Sequence, residues 1–161
     1  MEERIVMTQK NYDDLKKELD YLVKVKRPEI IERIAEARGH GDLSENAEYD
    51  AAREEQRSNE GKIVEIEYKI KNAEIREMVT DTNSVDLGSV VTIFDEDLGE
   101  EEVYTLTTVA DADVMNNKIS VVSPAGAALI GKKVGDRVAV KCPDGSSYYL
   151  QIKAIGVASE E

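Results

Sequence analysis

The chain is poor in the residues that carry covalent and metal chemistry. Its 161 residues hold one cysteine, Cys142, and one histidine, His40. A lone cysteine makes no internal disulfide and no cysteine-rich zinc site, and a lone histidine removes most histidine-based catalysis and metal ligation. Tryptophan is absent, phenylalanine occurs once and aromatics reach only 5%. No apolar run approaches the ~20 residues that span a bilayer. The N-terminus, MEERIVMTQK, lacks the apolar stretch of a signal peptide. The expected compartment is therefore the cytoplasm, with no membrane partner.

What is present is charge. Lys and Arg number 21 against 34 Asp and Glu, a net charge of −13. Duplex nucleic acid is bound chiefly by neutralising phosphates, so the charge argues against a stand-alone DNA-binding module. Contact with nucleic acid would need a local basic patch or a partner that does the holding. Hydrophobic residues make up 41%, too many for a disordered chain.

The punctuation changes near residue 80. Seven of the ten glycines and two of the three prolines fall in the second half. That shift from helix to turn punctuation marks a boundary, with Thr80-Asp81-Thr82-Asn83-Ser84 as a polar linker. The expected domains are 1–79 and 80–161.

The first half reads as two long helices. The first starts after Thr8, a good N-cap, and carries Tyr12, Leu15, Leu19 and Leu22 on one face. Its stripe resumes at Ile30 or Ile31, then Ile34 and Ala35. Pro28 sits inside it and predicts either a kink between Lys24 and Pro28 or a break with Pro28 in a new first turn. The second helix has a seam at Tyr49, Ala52, Gln56, Asn59, Ile63, Ile66, Ile70 and Ala73, spaced three and four throughout. Gly39 and Gly41 between them allow a reversal, so the helices pair antiparallel. About 30 residues at ~1.5 Å each make a rod of roughly 45 Å, with the hairpin turn as its tip.

The second half reads as strands over 85–94, 102–109, 118–123, 137–142 and 148–155, rich in β-branched residues. Pro143-Asp144-Gly145 predicts a hairpin turn. Ser123-Pro124 through Gly131 predicts a short helix with a serine cap and proline at its first position. The fold class is α+β: an antiparallel coiled coil followed by an antiparallel sheet with a short helix.

The tip, residues 39–48, carries Asp42, Glu45 and Glu48. Asp42-Leu43-Ser44-Glu45 is a good capping box, Asp42 capping the second helix and Glu45 reaching back. The same carboxylates are hard oxygen ligands suited to Mg²⁺, and on an exposed tip they would serve a site completed by another macromolecule. The two readings are compatible, since a capped turn would hold the carboxylates in place.

Two blocks resemble a known family: Arg33 through Glu54, containing GHGDLSENAEYDAARE, and Ile119 through Lys132 (ISVVSPAGAALIGK) followed by Val134-Gly135-Asp136. They resemble bacterial Gre transcript cleavage factors, of the GreA type. The resemblance implies an FKBP-like second domain that docks on RNA polymerase at its secondary channel, while the coiled coil carries its acidic tip to the active centre. It implies that Asp42 and Glu45 help hold a Mg²⁺ ion of that centre, with no metal site of their own. The polymerase then cleaves the 3′ end of backtracked nascent RNA, so the chain is an accessory factor and not an enzyme. Arg38 and Arg53 match the family's RNA-contacting basic patch; the alternative is pairing with Glu36, Glu54 or Glu45. Ser123 and Pro124 match its polymerase contact, besides capping their helix. DNA is expected only through the elongation complex, and the factor acts as a monomer. Tyr49 reads as packing, His40 as a solvated turn residue and Cys142 as a small buried side chain on a strand. A channel-binding inhibitor, a prolyl isomerase and an inert adaptor are the rival readings.

Overall fold

The structure is a computed structural model and describes residues 4–39 and 46–158. By its internal contacts the chain forms two compact units, one built on Gln9–Glu74 and the other on Val6–Thr8 and Ile75–Glu161.

Strand β1 (Ile5–Met7) precedes the first unit's helix α1 (Gln9–Tyr21), a π-helical turn (Leu22–Lys26) and helix α2 (Arg27–Arg38). Helix α3 (Ala47–Lys71) follows, then strand β2 (Ala73–Ile75), which pairs with β1. Helical geometry runs unbroken from Gln9 to Arg38, so Pro28 neither breaks the helix nor starts a separate one. The cause is local. Pro28 has no N–H for the Lys24 carbonyl. One wider turn absorbs the mismatch, and the Arg27 N–H reaches back to the Leu22 carbonyl.

The seam is buried where the spacing predicts it, at Ala52, Asn59, Ile63 and Ile66. On the partner helix Ile30 is buried while Ile31 is half exposed, and Ala37 is buried in place of Ala35. Leu22, Ile63 and Ile66 form one apolar cluster, and Ile30, Ile34 and Ala52 form a second with Tyr49 against it. Arg27 grips Glu60 through two hydrogen bonds of 2.9 and 3.0 Å. Arg33 meets Glu55 at 2.8 Å. As one index rises the other falls, the mark of antiparallel helices.

The second unit holds strands β3 (Ser89–Asp95), β4 (Glu100–Thr107), β5 (Lys118–Ser120), β6 (Arg137–Lys141) and β7 (Ser147–Val157), with helix α4 (Pro124–Leu129). The sheet order is β5-β4-β3-β7-β6. It is not wholly antiparallel, as the sequence had suggested: β4 and β5 run parallel, with Leu106 opposite Ile119. The segment between them crosses back over residues 108–117, and no alternation pattern discloses that pairing. Inward residues alternate on β3 (Val91, Ile93) and β6 (Val138, Val140). A register shift opposite Thr92/Ile93 leaves Lys153 without a β3 partner. That bulge lets Ile152 and Ile155, three residues apart, both pack on one core. Leu129 of α4 closes it. Cys142 is half-buried and lies just beyond β6, in the turn, where its carbonyl accepts from the Gly145 N–H at 3.0 Å. The proline at 143 ends the strand one residue early.

Candidate functional site

The helix pair ends at Gly39 and resumes at Asn46. Asp42 and Glu45, with His40, lie outside the described residues. What the structure shows is their frame.

The described α3 begins at Ala47, and its N-cap is Asn46 rather than Asp42. The Asn46 Oδ1 accepts from the Tyr49 N–H at 3.1 Å. Its Nδ2 donates to the Ala37 carbonyl, in the last turn of α2, at 2.6 Å. Asparagine ranks with aspartate as a cap, so the Asp42–Glu45 pattern competed with an equally good cap immediately before the apolar seam. Asn46 is the residue that sequence reasoning missed. The signal was there: Asn-x-x-Tyr, with tyrosine opening the seam.

The Arg38 guanidinium lies over the Tyr49 ring, 5.9 Å from its centre. Arg53 is four residues from Tyr49, one turn along α3 and on the same side. It donates to Gln56 at 2.9 Å, while Glu54 pairs with Arg57 at 2.9 Å. Tyr49 contacts Arg38 and packs on the Ile30, Ile34 and Ala52 cluster, as the sequence suggested. Nearby, Ala37, Ala51 and Ala52 leave a hollow of about 300 Å³, rimmed by Arg33 and Glu55. The hydrogen bond from Arg33 holds the Glu55 carboxyl below its ordinary range and raises the guanidinium.

Ser123 and Pro124 belong to the other unit. Ser123 caps α4, accepting from the Gly126 N–H at 3.1 Å, and its hydroxyl donates to the Ser120 carbonyl at 2.6 Å. Pro124 and the 66%-exposed Val122 are left facing solvent. At the far end of the sheet, the turn ends of β3–β4 and β6–β7 enclose a cleft of about 490 Å³ lined by Asp95, Glu102, Tyr104 and Tyr148. Burial pushes both phenols up, and Tyr104 donates to Glu102. Among the described residues no three Asp, Glu, His or Cys side chains converge as a metal site, and no helix is long and apolar enough to cross a membrane.

One unit is an antiparallel helix pair and the other a mixed sheet with a capped helix, which together define a two-unit α+β protein. Residues 5–75 match the family described as "Transcription elongation factor, N-terminal", and residues 80–156 match "Transcription elongation factor, GreA/GreB, C-term". Transcription elongation factor GreA of Thermodesulfovibrio yellowstonii is 50% identical over 144 residues, 89% of this chain and 91% of that protein. That of Beijerinckia indica is 47% identical over 148 residues, 91% of this chain and 94% of that protein. A crystal structure of GreA factor homolog 1 from Thermus thermophilus aligns with 95% of this chain and 99% of its own, at 28% identity and a TM-score of 0.45. The chain belongs to the GreA/GreB family of transcription elongation factors.

Proposed function

We propose that the chain enters the secondary channel of RNA polymerase and stimulates cleavage of backtracked nascent RNA by the polymerase's own active centre. The observation that carries the proposal is the frame described above. Two helices locked in register by Arg27–Glu60 and Arg33–Glu55 end at the segment holding Asp42 and Glu45. Sequence identity of 50% to a protein named as GreA supports it.

In this reading Asp42 and Glu45 would offer carboxylate oxygens to a Mg²⁺ ion of the polymerase, matching that ion's preference for hard ligands. The ion would supply the activation of the attacking oxygen. The chain's own residues do three things. The helix pair carries the acids. Arg38 and Arg53 would contact the extruded RNA strand, giving local positive charge on an acidic molecule. The α4 cap, with Pro124 at its exposed face and Ser123 shaping the loop, would dock on the polymerase. The factor is an accessory rather than the enzyme, working as a monomer in the cytoplasm and meeting DNA only through the elongation complex. The domain roles follow, 1–79 for delivery and 80–161 for docking.

The test is an arrested polymerase complex incubated with the protein and Mg²⁺. Shortened transcripts that can be re-extended are expected. Slowed synthesis with no shortened RNA would identify a channel-binding inhibitor instead.

A further inference from the structure

The apolar face of the first helix keeps three-four spacing on each side of the π turn but not across it. Leu15, Leu19 and Leu22 carry the face before it, and Ile30, Ile34 and Ala37 after it. From Leu22 to Ile30 is eight residues, where two regular steps make seven. Seven would bring Glu29, then Arg33 and Glu36, onto the seam, and all three are exposed. A π turn takes up one extra residue. It keeps both apolar faces on α3, and without it α2 would be turned by about 100°.

The seam requires that extra residue somewhere between Leu22 and Ile30, and apolar spacing does not say where. One polar side chain does. The Asn59 Nδ2 donates across the helix pair to the Leu22 carbonyl at 3.2 Å, and the same carbonyl accepts from the Arg27 N–H five residues on. We infer that Asn59 is a positioning residue that pins the π turn at Leu22 and so fixes the phase of α2 relative to α1. This role goes beyond the proposed function and does not depend on it.

The cost of the device is visible. Asn59 is 2% exposed, and its Oδ1 is buried without a partner. An apolar residue at this seam position would avoid that orphan. A buried asparagine in a seam earns its place by selecting one arrangement over its neighbours. Its donor is satisfied only opposite a carbonyl with a lone pair open, and the Leu15, Leu19 and Val23 side chains packed nearby offer none. If the turn moved toward Pro28, the Nδ2 would lose its partner as well. The ion pairs Arg27–Glu60 and Arg33–Glu55 hold the same helices, but their side chains are 36–50% exposed and discriminate weakly.

The experiment reads the phase directly, by pulsed electron resonance between two spin labels on the full chain. Cys142→Ser removes the native thiol. One label sits on α3 at Ser58→Cys, and the other at Val25→Cys or Glu29→Cys; all three positions are exposed. Rotation by one residue moves an outer side chain by up to about 8 Å. With Asn59 in place, each pair should give one narrow distance. Asn59→Leu and Asn59→Ala should each add a second distance for Val25 or Glu29, in at least about a tenth of the molecules, since one lost buried bond shifts such a balance roughly tenfold. The same pair with the label at Tyr21→Cys, before the turn, should keep a single distance throughout. One unchanged distance at Val25 and Glu29 in both Asn59 variants, whichever way their melting temperatures move, would overturn the inference and leave Asn59 a tolerated buried amide. Two distances with Asn59 in place would overturn it as well.

Discussion

Gly126 shows how tightly one position can be held. A Cβ placed there would come within 2.0 Å of the Ser120 carbonyl oxygen, which already accepts from Ser123. Gly126→Ala should therefore cost about 2–3 kcal/mol in urea unfolding, as overpacking against backbone does. A change below ~0.5 kcal/mol would show that the 120–126 loop gives way. Tyr104 and Tyr148 offer a second test. Their phenols are raised by burial, and Tyr104 also donates to Glu102. A folded value above the unfolded 10.0 means stability present below pH 10 and lost as pH rises further. Denaturant unfolding should weaken above about pH 10, and Tyr104→Phe should blunt that loss. At this scale the sequence was only partly legible. Ser123 and Pro124 announced their cap because serine before proline has few other uses. Asp42 and Asn46 both make good caps, and spacing could not rank them. The partner that decides for Asn46 is the Ala37 carbonyl, nine residues away.

Among the elements, the helix pair was read directly from period. Three-four spacing needs only local sequence, so Ala52, Asn59, Ile63 and Ile66 were placed correctly. Pro28 left a kink or a break open, and the helix does not break; a π turn over Leu22–Lys26 lies just before the proline. The Leu22 carbonyl there accepts from Arg27 and also from the Asn59 Nδ2 at 3.2 Å. Asn59 is 2% exposed, and its Oδ1 is buried without a partner. A buried acceptor left unpaired costs about 1–3 kcal/mol. Asn59→Leu should thus raise stability by about 1 kcal/mol, seen as a higher melting temperature. Destabilisation would mean that the bond to Leu22 outweighs the orphaned oxygen. The sheet was harder to read. Alternation revealed β3 and β6, but β1 and β2 have three residues each, too few for a pattern. The parallel β4–β5 pairing depends on a crossover whose residues carry no periodic signal.

For the whole molecule, charge and architecture set the expectations. A net charge of −13 opposes binding to free nucleic acid. The chain should not shift free single-stranded RNA in a gel at ~0.15 M salt, where phosphate contacts are already weakened. Crosslinks from Arg38 or Arg53 to RNA should appear only in the elongation complex. Retention of free RNA by the isolated protein would call for a different role. The family blocks that bracket the acidic segment and α4 were legible as motifs. The frame connecting Ala37, Asn46 and Tyr49 was not, because it consists of contacts between residues distant in sequence or hidden in backbone atoms.

The central claim is that Asp42 and Glu45 act as charged oxygens inside an active centre supplied by the polymerase. Its most direct test neutralises both without changing their shape. Asp42→Asn with Glu45→Gln is compared with wild type at saturating factor in arrested complexes, and polymerase binding is measured by competition. The account predicts cleavage reduced to the rate without factor, with affinity for the polymerase retained. Cleavage at the wild-type rate with both charges removed would contradict it.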